Sequence, residues 1–435
     1  MRLNWAWSSA AAFALAIAFG AAAFGQGPAP HPGRAVYDQS CAGCHDNPDT
    51  KSPQLAALQT MSPEAVRAAL VVGKMRAQGA TLKPAELDAV VAYLAGGNKA
   101  DETWAAKGLC APDKRAVDLS GRETLVRFGV DAAGTRHMSA ARAGLATKDF
   151  KDLEVAWALG LPQTNALRSA PVVVGSTIFY SASQVGHLLA LDTQSGCIKW
   201  SLKTPNPMRT SLTYGPAGPG GPKALFVGDV AGQILAIDAK SGKILWSAEG
   251  RHDPEALLTG APVLWRDKLI VPVSATDVAR AGNPKFPCCK VHGGVVALSA
   301  RDGRRLWAAH ATPEAKPTGL KNASGAELWG PSGAPVWSSP TISERRGVIY
   351  VGTGQNTSLP ATGTSDSIWA IDGATGKTKW FFQALANDVW NMSCARGANC
   401  PAAETSVRKD FDFGAQAIVG ADGRGRELVF GGQKS

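Results

Sequence analysis

Charge is scarce in this chain. Only 18% of its 435 residues are Asp, Glu, Lys or Arg, whereas 45% are hydrophobic. Bulk disorder is excluded, because it needs the opposite balance. Lys and Arg outnumber the acids enough for a formal net charge of +10, yet they never cluster with aromatics on one element. That argues against a nucleic-acid binder. The basic balance reads as a soluble surface, or as a field that steers an acidic redox partner. Long apolar runs are also missing. Beyond residue 25 no stretch approaches the ~20 residues that a spanning helix needs.

The one apolar run, Ala10 to Phe24, follows Arg2 and ends at Ala23-Phe24-Gly25. Small residues at the −3 and −1 positions mark residues 1–25 as a secretory signal peptide, cut before Gln26. A membrane anchor is the alternative, and the run is short for one. Export changes the meaning of the eight cysteines. Cys41 and Cys44 stand in a C-x-x-C-H motif. The other six are Cys110, Cys197, Cys288, Cys289, Cys394 and Cys400, an even number that suggests disulfides in an oxidising compartment. For Cys288 and Cys289 a vicinal bond, two separate cystines and free thiols are all open. Cys110 and Cys197 are left as a possible pair.

The organisation is in two parts. Residues 26–34 form a Pro- and Gly-rich leader, and residues 35–97 a small all-α domain. Ser62-Pro63-Glu64 predicts a helix start, with a cap, Pro at the first helical position and an acid near the positive end. Gly73 is placed to stop that helix. A second helix is predicted over Pro84–Leu94, where Leu87, Val90, Val91 and Leu94 make an apolar stripe. Gly96-Gly97 ends it. Residues 98–125 read as a linker.

From 126 to 435 the texture becomes β. Four segments share one pattern: Leu188–Trp200, Ile234–Trp246, Val295–Trp307 and Ile368–Trp380. Each is a strand, an Asp or Ser, a turn ending in Gly, and a strand ending in Trp. Leu153–Trp157 is a weaker copy. The tryptophans are 43, 46, 61 and 73 residues apart. Repeats of this length made of short strands predict a β-propeller. About five units are present, and Leu428–Ser435 reads as a strand running into a turn with no repeat after it. An incomplete propeller is the expectation.

In C-x-x-C-H, the thiols of Cys41 and Cys44 attach a haem c covalently and His45 binds its iron. A redox disulfide or half of a zinc site would need a second C-x-x-C or a thioredoxin-like βαβ pattern, and neither is here. The sixth ligand should be a thioether or imidazole. No His lies between residues 46 and 97. Met61 precedes a helix cap and suits a hydrophobic staple. Met75 lies in the loop before the last helix, where class I cytochromes c, which this module resembles, carry their Met ligand. Met75 is the expected ligand, with core filling as the alternative.

The repeat A-x-D-x-x-x-G-x-x-x-W resembles the tryptophan-docking motif of dehydrogenases that use pyrroloquinoline quinone (PQQ). Those are eight-bladed propellers with PQQ and calcium on the axis. A cytochrome c ahead of the propeller, together with Phe128-Gly129-Val130-Asp131 and Thr135-Arg136, is similar to the polyvinyl-alcohol dehydrogenase branch. The resemblance implies several roles. Cys288-Cys289 would be a vicinal disulfide against one PQQ face, and Trp337, fifteen residues before Gly352-Thr353-Gly354, would stack on the other. Gln355 or Asn356 would offer an amide oxygen to calcium, with Asp277 the nearest carboxylate ligand. Asp388, in Asn387-Asp388-Val389-Trp390-Asn391, would be the base that takes the alcohol proton. Lys434 would contact the quinone oxygens. Cys394 and Cys400 would close a small disulfide near the substrate mouth.

The implied function is periplasmic oxidation of a secondary alcohol, polymeric alcohols included. Electrons would pass from PQQ to haem c and then to an external acceptor such as a soluble cytochrome c. Two other readings stand beside it: a non-catalytic PQQ-repeat scaffold, and an electron carrier with the propeller as a docking module.

Overall fold

Short local signals build the helical module. The Ser62 hydroxyl accepts from the Ala65 amide at 3.1 Å, and Pro63 opens the Pro63–Val71 helix. This satisfies one of the orphan donors of the first turn. Pro84 opens the Pro84–Leu94 helix, whose Glu86 accepts from the Lys83 amide at 2.8 Å. That helix buries Val90, Val91 and Leu94 against Tyr37 of the Pro32–Ser40 helix, with Val66 and Leu70 completing the core. Where the two helices cross, a Cβ on Gly33 would lie 2.0 Å from the Ala89 carbonyl oxygen. Only glycine permits that approach.

This computed structural model describes residues 31–435 except 51, 96–102, 163, 165, 166 and 396. The signal-peptide reading and Gly96-Gly97 lie outside the described residues. Among the described residues no helix is long and apolar enough to cross a membrane.

The stretch expected as a linker is packed from residue 103 onward. Leu109 pairs in parallel with Ile198, the Cys110 amide donates to the Ile198 carbonyl at 2.9 Å, and Cys110 is bonded to Cys197. Glu123–Leu125 then joins the first sheet as an edge strand. Residues 103–125 therefore belong structurally to the first β unit.

The repeats become successive antiparallel sheets. Val172–Val174, Thr177–Ala182, His187–Asp192 and Ile198–Lys203 make the first, beside the edge strand. Thr213–Pro216 to Ile244–Glu249, Val263–Trp265 to Arg305–His310, and Thr341–Ser343 to Thr378–Gln383 make three more of four strands each. The hairpin Ile418–Ala421 with Glu427–Phe430 follows. The weak copy at Leu153–Trp157 forms no strand.

The repeat motif explains how units are joined. Its Asp carboxylate holds the turn: Asp192 accepts from the Gln194 and Ser195 amides and the Ser195 hydroxyl at 2.9–3.1 Å. Its Gly takes a positive φ, 71–75° at Gly196, Gly242, Gly303 and Gly376. The Trp of the preceding unit lies on that bare glycine. A Cβ would meet Trp157 at Gly196, Trp200 at Gly242, Trp246 at Gly303 and Trp307 at Gly376, at 2.5–2.8 Å. The indole N–H of Trp200 donates to the Ala239 carbonyl, and that of Trp246 to Ala300, each at 3.2 Å. Each Trp thus pins the turn of the next unit, which is why the motif needs Gly and Trp together. Even Trp157, outside any strand, docks in this way and donates to the Thr193 carbonyl at 2.9 Å.

Candidate functional site

The C-x-x-C-H segment lies on the short Ala42–His45 turn, with Cys41 just before it. Both thiols are free. Burial, then the neighbouring Cys44, pushes the Cys41 thiol pKa up. His45 Nδ1 lies 2.7 Å from the Pro53 carbonyl oxygen. A carbonyl only accepts, so Nδ1 carries the proton and Nε2 presents its lone pair. Metal-binding histidines are held in this way. Two free thiols with an oriented imidazole fit a covalent haem. Met61 and Met75 both pack on the core that Cys41 and Ala42 touch, so the geometry leaves the choice between them where the sequence put it.

The loop bearing Met75 meets the β region directly. Arg76 donates to the Pro254 carbonyl at 3.1 Å and to the Glu255 carboxylate at 2.8 Å. Glu255 also accepts from Arg280 at 2.5 Å. Arg280 lies over the Phe286 ring, 4.4 Å from its centroid, and Phe286 packs on Cys288 and Cys289. Contacts therefore run unbroken from the Met75 loop to the vicinal cysteine pair. On the same side, burial pulls the Lys74 pKa down, and the cations Arg209 and Arg168 add to it.

Arg168 also lines a cavity of about 360 Å³ together with Arg136, Thr259, Trp337, Gly414 and Gln416. That is the size range of small-ligand sites. An aromatic wall with two guanidinium groups suits a flat polyanion, and PQQ is a tricarboxylate quinone. Trp337 is held by its own N–H, which donates to Asp412 Oδ2 at 3.1 Å. Gly414 fits against it, since a Cβ there would fall 2.5 Å from the indole.

Asp412 braces this wall through Trp337. Its Oδ1 accepts from the Gln355 amide at 3.0 Å, and its Oδ2 lies 2.7 Å from Lys434 Nζ. Gly354 allows the approach, because a Cβ would lie 2.1 Å from Oδ1. Lys434 Nζ is 5.5 Å from the Trp337 ring centroid. Burial lowers the Lys434 pKa, but Asp412 and Asp410 outweigh it and the net direction is up. Two further carboxyls are crowded in. Burial pushes Asp366 up to about 8, with Asp388, Asp412 and Asp410 adding repulsion. Burial, then Asp412, pushes Asp410 up to about 6. Lys434 is the cation set against this group.

Two of the expected calcium ligands part company here. Gln355 Oε1 is buried with no partner, as are both oxygens of Asp366. Buried oxygens left bare are what a hard cation would satisfy. Asn356 is committed elsewhere: its Nδ2 donates to the Ser332 carbonyl at 2.9 Å, and its Oδ1 accepts from the Thr362 amide at 2.8 Å. It holds its own loop and has no oxygen to spare. Asp277 is also a loop anchor. Its Oδ2 accepts from the Lys290 and Val291 amides at 2.5 and 2.8 Å, beside the cysteine pair; its Oδ1 is buried without a hydrogen-bond partner, 3.7 Å from Arg280, and no contact links it to Gln355.

Asp388 is held by its loop in a similar way. It is wholly buried, and its oxygens accept from the Lys409 amide at 2.7 Å and the Phe411 amide at 3.0 Å. In this arrangement the carboxylate clasps the 409–411 loop. The sequence reading missed Asp412. Its signal was Asp410-Phe411-Asp412-Phe413-Gly414, two acids and a glycine ahead of Lys434. Cys288 and Cys289 are joined and buried, but they do not line the Trp337 cavity. Cys394 is joined to Cys400.

Residues 126–400 match the family model described as glucose/ethanol/alcohol dehydrogenase, β-propeller domain, the PQQ family. The chain belongs to the PQQ dehydrogenase propeller family. Residues 28–94 of this family member match a cytochrome c family, that of cytochrome c oxidase, cbb3-type, subunit III. PQQ and haem c are thus its cofactors. Polyvinylalcohol dehydrogenase of a Pseudomonas species is 31% identical over 93% of the chain and 64% of that protein's length. The enzyme of the same name from Sphingopyxis sp. strain 113P3 is also 31% identical, with the same coverage. The chain thus spans 64% of the length of these relatives. The structure of quinohemoprotein alcohol dehydrogenase ADHIIG from Pseudomonas putida HK5 aligns with a TM-score of 0.53 at 18% identity, over 72% of this chain and 45% of that one. That likeness speaks for the fold.

Proposed function

We propose that this PQQ dehydrogenase family member oxidises secondary alcohols in the periplasm, poly(vinyl alcohol) among them, and passes the electrons to a soluble cytochrome c. The names of its 31%-identical relatives support the substrate class. The observation that carries the reading is the cationic cavity walled by Trp337, whose indole is held by Asp412, the partner of Lys434.

When bound, PQQ supplies a two-electron quinone acceptor, and haem c a one-electron relay. The chain's own residues do the rest. Trp337 offers a flat face, and Arg136 and Arg168 attract the carboxylates. Gln355 Oε1 and the Asp366 carboxyl would hold calcium, whose charge would let Asp366 ionise near neutral pH. Asp412, in place of Asp388, takes the hydroxyl proton as general base. Lys434 pairs with Asp412 at 2.7 Å and sets a positive charge beside it. The Arg76–Glu255–Arg280 contacts fix the haem module over the propeller.

The test is to load the haem-bearing protein with PQQ and calcium, add a secondary alcohol, and follow the haem α-band. Reduction that depends on both the quinone and the alcohol is expected. A haem that stays oxidised with every alcohol would leave a scaffold or carrier role in place of the enzyme.

A further inference from the structure

Three of the chain's seven histidines meet at one place away from the Trp337 cavity. His252 follows the Ile244–Glu249 strand, His292 precedes Gly294–Ser299, and His310 ends Arg305–His310. Their ring centroids are 4.6–5.1 Å apart. One ligand nitrogen from each lies within 4.8 Å of the other two. We propose that His252, His292 and His310 form a binding site for a first-row divalent transition ion, zinc being the natural probe.

The hydrogen bonds already sort the nitrogens as a metal would require. His252 Nε2 lies 3.2 Å from the His292 carbonyl oxygen. That oxygen only accepts, so Nε2 carries the proton and Nδ1 carries a lone pair. His252 Nδ1 is buried and has no partner, and His292 turns its Nε2 toward His310 Nδ1. An imidazole whose outer N–H is fixed by a carbonyl and whose inner nitrogen faces no donor is the usual state of a ligating histidine. Space is made for it: a Cβ on Gly294 would fall 2.8 Å from the His252 ring.

The protonation state agrees with this geometry. Burial, reinforced by His292 and His310, pushes His252 down to about 3. Burial also lowers His292 and His310. Neutral imidazole is the ligand form, so little proton release opposes binding. Ligands 2.0–2.1 Å from a tetrahedral zinc are about 3.3 Å from one another. His292 Nε2 and His310 Nδ1 are already 2.9 Å apart. Closing the set needs a modest swing of the exposed His310. Three imidazoles with a fourth position open to water suit zinc or copper, and not the oxygen-seeking calcium.

The placement gives such an ion work to do. His252 lies two residues before Pro254, whose carbonyl receives Arg76 of the haem module. An ion at the histidines would hold the loop on which that module docks.

The experiment uses the full haem-loaded chain, so that Cys41, Cys44 and His45 are occupied, with calcium in excess to fill oxygen sites. Zinc is titrated by calorimetry, and hydrogen exchange is read with and without zinc. One zinc per chain is expected, with protection confined to peptides covering residues 250–256 and 291–311. His310→Gln and His252→Gln should each weaken binding by at least about 10- to 100-fold, the loss seen for weaker perturbations of zinc sites. His137→Gln, an exposed histidine elsewhere, should change nothing. With Cu²⁺ as probe, the electron-resonance spectrum should show nitrogen splittings that His310→Gln reduces. The proposal is overturned if zinc does not bind, if both cluster variants bind it like the parent, or if protection falls elsewhere. None of these results depends on alcohol oxidation.

Discussion

Asp412→Asn separates a catalytic carboxylate from a structural one. Asp412 accepts three hydrogen bonds, from the Gln355 amide, the Trp337 indole and Lys434. Asn keeps the shape and one acceptor oxygen, but loses the charge. The Lys434 side chain is 40% exposed, so its ion pair is screened and contributes about 1 kcal/mol or less. One lost acceptor adds about 1 kcal/mol. Folding should therefore weaken by about 1–2 kcal/mol. Loss of a general base lowers the rate by about 10²- to 10⁴-fold, or about 3–5 kcal/mol of barrier. The kinetic loss should exceed the stability loss.

Asp388→Asn should show the reverse. Both Asp388 oxygens are used on backbone amides of the 409–411 loop. Removing one charged acceptor from a fully buried site costs about 2–3 kcal/mol, while Asp412 stays in place. Stopped-flow reduction of the haem by alcohol, in protein loaded with PQQ and calcium, measures the rate. Denaturant unfolding measures the stability, and quinone absorbance confirms loading. Asp412→Asn reducing its haem at the parent rate with quinone bound would refute the assignment.

Other outcomes follow from the same contacts. Asp366 is raised from 3.8 to about 8, so the folded protein binds its proton more tightly than the unfolded chain does. Without calcium, stability should fall as pH rises from about 4 to about 8, and Asp366→Asn should flatten that slope in pH-dependent thermal melts; an unchanged slope would refute it. Trp200→Ala removes the clamp on the Gly242 turn and should cost about 3 kcal/mol or more, read from denaturant unfolding. Replacing Cys110 and Cys197 by Ser opens a loop with a sequence separation of 87 and should cost about 2–4 kcal/mol, whereas a neutral result would show that the 103–125 segment is held by other contacts. Arg76→Ala removes the haem module's bonds to Pro254 and Glu255 and should slow haem reduction without altering quinone binding, in the same stopped-flow assay.

Local chemistry was legible and long-range assembly was not. Ser62, Pro63 and Pro84 act within one turn of themselves, so the helices they start could be placed from the sequence. The Gly and Trp of each repeat also stood out, because a motif written four times reports its own importance. What it could not report is that each Trp serves the next unit's glycine. That pairing closes between Trp200 of one repeat and Gly242 of the next. Residues 103–125 looked like a linker because their partner, Ile198, lies far along the chain. The surroundings of Asp388 were hidden for a related reason. Asn387-Asp388-Val389-Trp390 matches a motif by type, yet the function of a carboxylate depends on who else claims its oxygens. The claimants, the amides of Lys409 and Phe411, carry no side-chain signature at all.

The same count of claimants orders the whole acidic group. Asp388 has both oxygens on backbone amides, and its job is to shape the loop that presents its neighbours. Asp412 has one oxygen on an amide and the other shared between an indole and a half-exposed ammonium, so it can exchange partners when a ligand enters. Asp366 has none, and at zero exposure it stays protonated or waits for a cation. On the proposed reading, one buried patch holds a clasp, a base and a cation seat made of a single residue type. Burial with no donor in reach raises the cost of a bare charge at Asp366. Lys434 couples the last two: a cation at Asp366 and Gln355 would add positive charge beside Asp412, loosen its hold on Lys434, and free that ammonium to face the cavity. Quinone affinity should therefore rise with calcium, and Lys434→Met should abolish much of that dependence while leaving the haem spectrum unchanged. Equal calcium dependence in parent and Lys434→Met, measured by quinone absorbance titration, would break the link.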